Sequence, residues 1–386
     1  SKLRSIQEYG VETSLRLPKF LLPFLKTEGF IKKYNPSTTI LAAYNYQTMP
    51  LYTRTMATAT FGYNWKAGSY QEHIVNPLQL NLVHLPPESI DPAFAASIAS
   101  SFLAASYKDV MIMGGGYSFI YNNQKIKNSR DYWFLRINAE TAGNSISLVE
   151  KLSGAKKTDG GYKILGLPFA QYVRTDLDLR YNYILNEVSS VVYRGFVGIG
   201  IPYGNSEAMP FEKQYFGGGA NGIRAWQVRT LGPGSYDPIK AWQVRSLGPG
   251  SYDVRKPAFL NQTADIKLEA NAEYRFKLFW ILEGALFVDA GNIWSFNYDP
   301  AQPGSQFVFN KFYKDIAVGT GTGFRFDFKF VIARIDFGMK LRDPLLGNGT
   351  LIGPNHITDT GPKWIFLNGP YKIHDFTIVL GIGYPF

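Results

Sequence analysis

An arginine and a set of carboxylates carry the chemistry that this sequence suggests. Arg224 lies in a glycine-rich stretch from Gln214 to Pro238. Four carboxylates then alternate along two adjacent predicted strands: Glu269, Glu273, Glu283 and Asp289. Carboxylates on one face repel one another unless a cation neutralises them, and an arginine fork binds a carboxylate through two parallel bonds. The pattern predicts either pairing with this loop arginine, or a polar pore wall whose carboxylates pair with Lys267 and Arg275.

Other chemical motifs are absent from the sequence. Four dispersed histidines lack metal-ligand spacing, there is no cysteine, and no serine lies in a nucleophile-elbow motif. Gly217, Gly218 and Gly219 lack the Lys-Ser/Thr pair of a phosphate-binding loop, so we interpret them as a flexible approach to the loop tip. We therefore expect no catalytic residue, no metal site and no cofactor.

The composition favours strands over helices. The 386 residues include 25 Tyr, 28 Phe and 38 Gly, whereas helical bundles are rich in Ala, Leu, Glu and Lys. The mean hydropathy of −0.13 is compatible with a membrane β-barrel, in which lipid-facing and lumen-facing residues alternate. The net charge of +10 comes from scattered rather than clustered residues, so we expect no nucleic-acid partner.

Alternation with a period of two is the dominant pattern along the chain. In Ala264–Phe276, apolar and charged residues take opposite faces, over about the 9–11 residues that a tilted membrane strand needs. The predicted strands are Glu8–Phe20, Thr38–Met49, Tyr52–Trp65, Gln71–Leu85, Tyr107–Tyr121, Tyr132–Glu140, Gln171–Leu185, Val191–Tyr203, Ala264–Phe276, Phe279–Trp294, Tyr313–Phe328, Phe330–Leu341 and Asp375–Phe386. We predict an all-β fold, a transmembrane antiparallel β-barrel with thirteen readable strands.

Two further features concern the loop and the last strand. The segment Ala225–Asp237 recurs almost unchanged as Ala241–Asp253, with Lys240 in the place of Arg224. Lysine cannot form the arginine fork, so Arg224 is the predicted anchor. The last strand carries Gly381, Gly383 and Pro385 before the final aromatic Phe386. Glycine supplies no packing and proline lacks the ladder N–H, so this strand is predicted to pair weakly.

Several motifs, in one order, resemble the barrel of the BamA/TamA superfamily of outer-membrane assembly and secretion proteins. The similarity is greatest to TamL-type members of Bacteroidota. The family's Val-Arg-Gly-Phe-type loop motif is matched by Ile223, Arg224, Ala225 and Trp226, with Ala225 in the place of the usual glycine. The other matches are Pro210, Phe211, Tyr215, Phe216, Gly218 and Gly219 before the motif, Leu231–Pro233 after it, the strand glutamate Glu273, the Asp-x-Gly at Asp289–Gly291, and Phe386.

The resemblance implies that the loop arginine reaches into the barrel and pairs with the strand carboxylates, which favours the first interpretation above. It also implies sixteen strands, eleven of them before the loop. We therefore expect residues 1–386 to form a C-terminal transmembrane β-barrel domain of the bacterial surface antigen type. Three N-terminal strands and the periplasmic POTRA domains are then expected to lie outside this chain.

The implied function is insertion of proteins into the bacterial outer membrane, or their translocation, through a lateral seam between the first and last strands. A passive outer-membrane pore or transporter is the alternative. The resemblance further implies three kinds of partner: outer-membrane lipids including lipopolysaccharide, client β-barrel proteins, and accessory periplasmic or surface lipoproteins. It implies no cofactor and no enzymatic activity.

Overall fold

The computed structural model describes most of the chain. The described residues are 7–21, 34–48, 52–92, 95–96, 107–125, 130–154, 161–164, 166–233, 262–300, 302, 304–344, 348–351, 357–359, 363–367, 370–372 and 375–386. The tandem copy at 239–253, including Lys240, lies outside the described residues.

Thirteen strands form one antiparallel sheet, ordered as they occur in the chain. They are β1 (Gln7–Leu17), β2 (Ser37–Thr48), β3 (Thr53–Lys66), β4 (Gln71–His84), β5 (Val110–Asn122), β6 (Tyr132–Ala142), β9 (Tyr172–Asn186), β10 (Ser189–Pro202), β11 (Ile266–Phe279), β12 (Leu282–Trp294), β13 (Ala317–Asp327), β14 (Ile332–Arg342) and β17 (Phe376–Ile382). Two small sheets pair β7 (Lys163–Ile164) with β8 (Leu167–Pro168), and β15 (Asn348–Leu351) with β16 (Ile357–Asp359). Each of the thirteen predicted strands is confirmed, with shifted ends.

The described helices are short. Helix α1 (Asn144–Leu152) follows β6, and 3-10 turns cover Pro87–Ser89, Phe211–Lys213, Phe312–Asp315 and Ile365–Leu367. Helix α1 was not predicted from the sequence, because nine residues are too few for helical periodicity to stand out between strands. Among the described residues, no helix is long and apolar enough to cross a membrane.

The sheet buries its charged face and exposes its apolar face. On β11, Glu273 is fully buried, whereas the adjacent Tyr274 is 39% exposed. On β12, Asp289 is fully buried, whereas the adjacent Val288 is 47% exposed. A protein surrounded by water shows the reverse, because burying ions costs far more than burying apolar side chains. This polarity suits a sheet whose outer face meets lipid hydrocarbon.

The register of β11 and β12 brings the predicted carboxylates together. Asp289 lies directly opposite Asn271, and Glu273 lies opposite Phe287. Since side chains alternate along a strand, Asp289 and Glu273 project from the same face within two residues of each other. The register of the two strands alone therefore places both carboxylates on one face, without any contribution from the loop.

The described residues group into two compact units. The first comprises residues 1–123, 135–176 and 200–213, and one of its core clusters contains Val83, Ile112, Ala142, Ala170, Tyr172 and Met209. The second comprises residues 124–134, 177–199 and 214–386. Its core includes the loop residues Ile223, Ala225, Trp226 and Leu231, packed against Ala317. The loop motif is thus part of a hydrophobic core.

Strand β17 is shorter than predicted. Its seven residues pair with Ala333–Met339 of β14, whereas the prediction ran from Asp375 to Phe386. Gly383 adopts a φ of 78°, in the left-handed region, which ends the extended conformation. The strand therefore stops at Ile382, and Phe386 does not continue it.

If the exposed apolar face of β12 contacts lipid, a charge placed on it should destabilise the protein. Val288→Lys, at the middle of β12, should lower the free energy of unfolding in lipid vesicles by about 2–4 kcal/mol. The matched change Val188→Lys lies in the turn between β9 and β10 and should cost about 0–1 kcal/mol, because charge is tolerated near the membrane surface. Urea unfolding in vesicles measures both costs. Equal costs would mean that this face of β12 does not contact lipid.

Candidate functional site

The glycine-rich part of the long loop is a tight turn. The Gly219 N–H donates to the Trp226 carbonyl at 2.8 Å, and the Arg229 N–H donates to the Gly217 carbonyl at 3.0 Å. Gly218 and Gly219 have φ values of 81° and 88°, which residues with a side chain rarely adopt. The three glycines were interpreted from sequence as a flexible approach. In the structure they fold the loop back on itself and hold the motif.

Arg224 is fully buried between two fully buried carboxylates. Its Nε and Nη2 donate to the two oxygens of Asp289 at 2.8 and 2.9 Å, which is the two-bond fork, and its backbone N–H donates to Asp289 at 3.1 Å. Its Nη1 donates to Glu273. The guanidinium carbon lies 3.5 Å from the centroid of the Phe287 ring. These bonds fix the orientation of Arg224 as well as its position.

Three more arginines from the strands extend this ion-pair network. Arg275 Nε donates to Glu273 at 2.8 Å, and Arg325 donates to Glu273 at 3.1 Å and to Asp336 at 2.7 Å. Arg334 lies 3.5 Å from Asp336. The network contains four arginines and three carboxylates, Glu273, Asp289 and Asp336, so its formal charge is 4 − 3 = +1.

Side chains from three strands also hold the loop apex. They are Asn271 of β11, which donates to the Gly222 carbonyl at 3.0 Å, Thr377 of β17, which donates to the Ala225 carbonyl at 2.9 Å, and Arg334 of β14, which donates to the Asn221 side chain. The apex is therefore bound through its backbone and through Asn221, in addition to the arginine.

The other two predicted carboxylates do not contact Arg224. Glu269 pairs with Arg194 at 3.1 Å and with Lys267 at 2.9 Å. Glu283 lies near the beginning of β12 and accepts a hydrogen bond from the Tyr384 hydroxyl at 2.9 Å. Both patterns anticipated from the sequence thus occur among the described residues, since some carboxylates pair with the loop and others with residues of the wall.

Two strand glycines make room for the loop motif. A Cβ atom on Gly319 of β13 would lie 2.5 Å from the Cβ of Ala225. A Cβ atom on Gly338 of β14 would lie 2.7 Å from the Arg224 carbonyl oxygen and 2.9 Å from the Ala225 Cα. Real Cβ atoms essentially never make contacts this short, so a side chain at either position would displace the fully buried loop motif or the strand.

The segment that precedes the loop has its own anchor, within the first unit. Glu212 accepts from Arg54 at 2.6 Å, and the guanidinium carbon of Arg54 lies 5.1 Å from the centroid of the Phe211 ring. Burial raises the pKa of the Glu212 carboxyl, and the adjacent Arg54 opposes that rise. Lys213 pairs with Glu140 at 2.5 Å. Pro210 and Phe211 of this segment match the family motif, but the sequence alone does not predict these ion pairs.

The residues predicted to weaken the last strand have distinct environments. Gly381 lies against Arg334, because a Cβ there would overlap the arginine side chain. Gly383 ends β17, and Pro385 is buried beyond the strand. The ring of Phe386 lies 5.5 Å from the guanidinium carbon of Arg224. Phe386 is therefore part of the surroundings of the loop anchor.

Several residues of this site were not predicted from the sequence. Alternation in the sequence places Arg334 and Asp336 on the polar face of their predicted strand, and it places Arg325 inward as well. The sequence therefore does indicate that these three side chains face inward. Their convergence on Glu273 and Asn221 depends on sheet register, which alternation alone does not provide. Among the described residues, no cluster of three or more His, Cys, Asp or Glu side chains is arranged to hold a metal ion.

The close contacts of Gly319 and Gly338 with the loop motif predict which second substitution restores lost stability. Gly319→Ala should destabilise the protein by about 1–3 kcal/mol, as overpacking does. Adding Ala225→Gly should restore most of that stability, because the clash is with the Ala225 methyl group. The matched variant Gly338→Ala clashes with loop backbone, so the same Ala225→Gly change should not rescue it. The free energy of unfolding in vesicles is measured for all variants. If Ala225→Gly restored stability equally to Gly319→Ala and Gly338→Ala, the described contacts would be refuted.

Comparison with known proteins identifies the family. A family model described as the Omp85 superfamily domain matches residues 3–345. No curated protein matches the chain. The crystal structure of BamA from Haemophilus ducreyi lacking POTRA domains 1-3 aligns with a TM-score of 0.60 and 12% identity, over 97% of this chain and 62% of that one. CdiB from Acinetobacter baumannii aligns with a TM-score of 0.48 and 12% identity, over 99% and 51%.

The chain thus spans about three fifths and about half of the lengths of these two proteins. The likeness to BamA confirms the predicted fold, an antiparallel transmembrane β-barrel. Omp85 barrels are located in the bacterial outer membrane and act in protein assembly or translocation without enzymatic activity. Because the family model covers most of its length, the chain belongs to the Omp85 superfamily.

Proposed function

We propose that this barrel inserts proteins into the outer membrane or translocates them across it, with its loop folded inward and anchored by Arg224. The supporting observation is the fully buried Arg224, which joins the loop to Asp289 and Glu273. A passive pore needs polar walls, but it does not need a loop arginine buried among wall carboxylates. Client strands supply the free energy when they bury apolar faces in lipid and satisfy their backbone bonds, so no cofactor is required.

The proposed seam lies along β17, between the first and last strands of the barrel. β17 pairs with β14 at seven positions, whereas β11 and β12 pair at thirteen. Fewer ladder bonds make a strand easier to release. In the sheet order, β17 occupies one end, and its outer edge has no partner strand among the described residues. An unpaired strand edge is a template on which an incoming strand can form backbone hydrogen bonds.

The partners that we propose are those that fit the exposed apolar residues of β17. Ile378, Leu380 and Ile382 are 68%, 71% and 81% exposed, and they offer apolar surface to lipid or to a client strand. Client β-barrel proteins and outer-membrane lipids, including lipopolysaccharide, are therefore the partners proposed at β17. The resemblance to TamL-type proteins of Bacteroidota supports a TamL-like role with accessory periplasmic or surface lipoproteins.

A passive pore or transporter is the second candidate. It is favoured by the pairs that carboxylates make within the wall, Glu269 with Lys267 and Glu273 with Arg275. Such pairs would line a polar channel without help from a loop. The two candidates differ in what the loop does, so changes at the anchor separate them.

The first test concerns client folding. Arg224→Ala leaves Asp289 buried without its fork, and loss of one member of a buried pair costs about 3–5 kcal/mol. We expect the variant to lose most of its ability to speed the folding of a barrel client into liposomes. Lys240→Ala, in the tandem copy, should change stability by about 0.5 kcal/mol or less. Equal effects would refute Arg224 as the anchor. If the unaltered full-length protein does not speed client folding, insertion is the wrong function.

The second test concerns conductance. In planar bilayers, the unaltered protein should conduct poorly, because the anchored loop occupies the interior. Arg224→Ala should raise the single-channel conductance, and Lys240→Ala should not. High conductance of the unaltered protein, unchanged by Arg224→Ala, would support the passive pore instead.

A further inference from the structure

The four residues after β17 turn away from the line of that strand. The last backbone bond between β17 and its partner runs from the Gly383 N–H to the Ile332 carbonyl at 2.8 Å. Ile332 is the first residue of β14, so β14 offers no further ladder partner. The left-handed φ of Gly383 then redirects the chain, although open space surrounds the position of a Cβ atom there. The turn therefore depends on backbone conformation rather than on crowding.

The redirected residues bind the strand arginine Arg275. The Tyr384 hydroxyl donates to Glu283 at 2.9 Å, and its ring centroid lies 4.4 Å from the Arg275 guanidinium carbon. Arg275 Nη2 donates to the Phe386 carbonyl at 3.3 Å. Tyr384 thus makes a hydrogen bond and a cation–π contact, and Phe386 accepts a second hydrogen bond.

The same segment also contacts the loop anchor. The Phe386 ring centroid lies 5.5 Å from the guanidinium carbon of Arg224 and 5.8 Å from that of Arg275. Both arginines donate to Glu273. Thus Arg224 and Arg275 share one aromatic ring, that of Phe386, and one carboxylate, that of Glu273. Groups that share partners in this way are energetically coupled.

We propose that Gly383–Phe386 is a latch that couples β17 to the loop anchor. This inference rests on the proposed role of β17 as the seam strand. With the latch closed, Phe386 shields Arg224 and Arg275 from water and strengthens their bonds to Glu273. When the latch opens, both guanidinium groups lose an aromatic partner and gain solvent, so the loop is held less tightly. Reciprocity requires that loss of the Arg224 anchor also loosens the latch.

The test uses the absence of cysteine from this sequence. Ile223→Cys places a single thiol in the buried loop motif, and its rate of reaction with a charged maleimide in vesicles reports loop release. Adding Phe386→Ala should raise that rate about tenfold, as expected for desolvated cation–π contacts. Phe376→Ala is the matched control, because it removes a phenylalanine from the other end of β17. It should change the rate by less than about twofold.

Further variants separate coupling from a general loss of stability. Phe386→Leu keeps apolar bulk without a π-face and should reproduce most of the Phe386→Ala effect. In an Arg224→Lys background, Phe386→Ala should add less than about twofold, because the shared partner is already perturbed. In the reciprocal measurement, Arg224→Lys should speed labelling of Pro385→Cys, which places the thiol at a buried position. Equal effects of Phe386→Ala and Phe376→Ala, or fully multiplicative effects with Arg224→Lys, would overturn the latch.

These measurements contain no client protein, so they can fail independently of the proposed function. If Phe386→Ala frees the loop while the unaltered protein does not speed client folding, coupling is supported and insertion is refuted. If client folding is accelerated but the labelling rates do not change, insertion is supported and the latch is refuted.

Discussion

The burial of Arg224 beside Asp289 is the interaction on which the rest of this site depends. Removing two ions from water costs several kcal/mol for each, and attraction offsets this only when the geometry is good and the remaining donors are satisfied. Arg224 makes three bonds to Asp289 and one to Glu273, which supply this geometry. A planar fork tolerates little rotation. The glycine turn at 217–219 and the contacts to Gly222 and Ala225 therefore act together to present the guanidinium in one orientation.

The same interaction accounts for the polarity of the sheet. A network of four arginines and three carboxylates cannot face lipid, so the strands that carry it must direct these side chains away from the membrane. Their alternate residues then face lipid, and there Tyr274 and Val288 are exposed. A single requirement therefore explains the alternation. Each strand must bury charged residues on one face and expose apolar residues to lipid on the other.

Most of the fold and only part of the site could be predicted from sequence. Alternation located all thirteen strands, because period two is a local property. It also placed Glu273 and Asp289 on one face, and the motif resemblance connected them to Arg224. The contributions of Arg325, Gly319 and Gly338 depend on how β13 and β14 are aligned beneath the loop, and that register is non-local. Phe386 was predicted to belong to the last strand, but the left-handed φ of Gly383 ends that strand before it.

The two carboxylates that bind Arg224 are not equivalent, and this asymmetry bears on how the loop could leave. Glu273 also accepts bonds from Arg275 and Arg325, so it would stay neutralised within the wall after the loop departed. Asp289 has a different environment, since its other described donor is the neutral side chain of Asn271. Loss of the loop would leave Asp289 as a buried charge without a described cationic partner, which is the costly outcome. The free-energy barrier to loop release is therefore expected to lie mainly at Asp289, whereas Glu273 keeps the wall intact in both states.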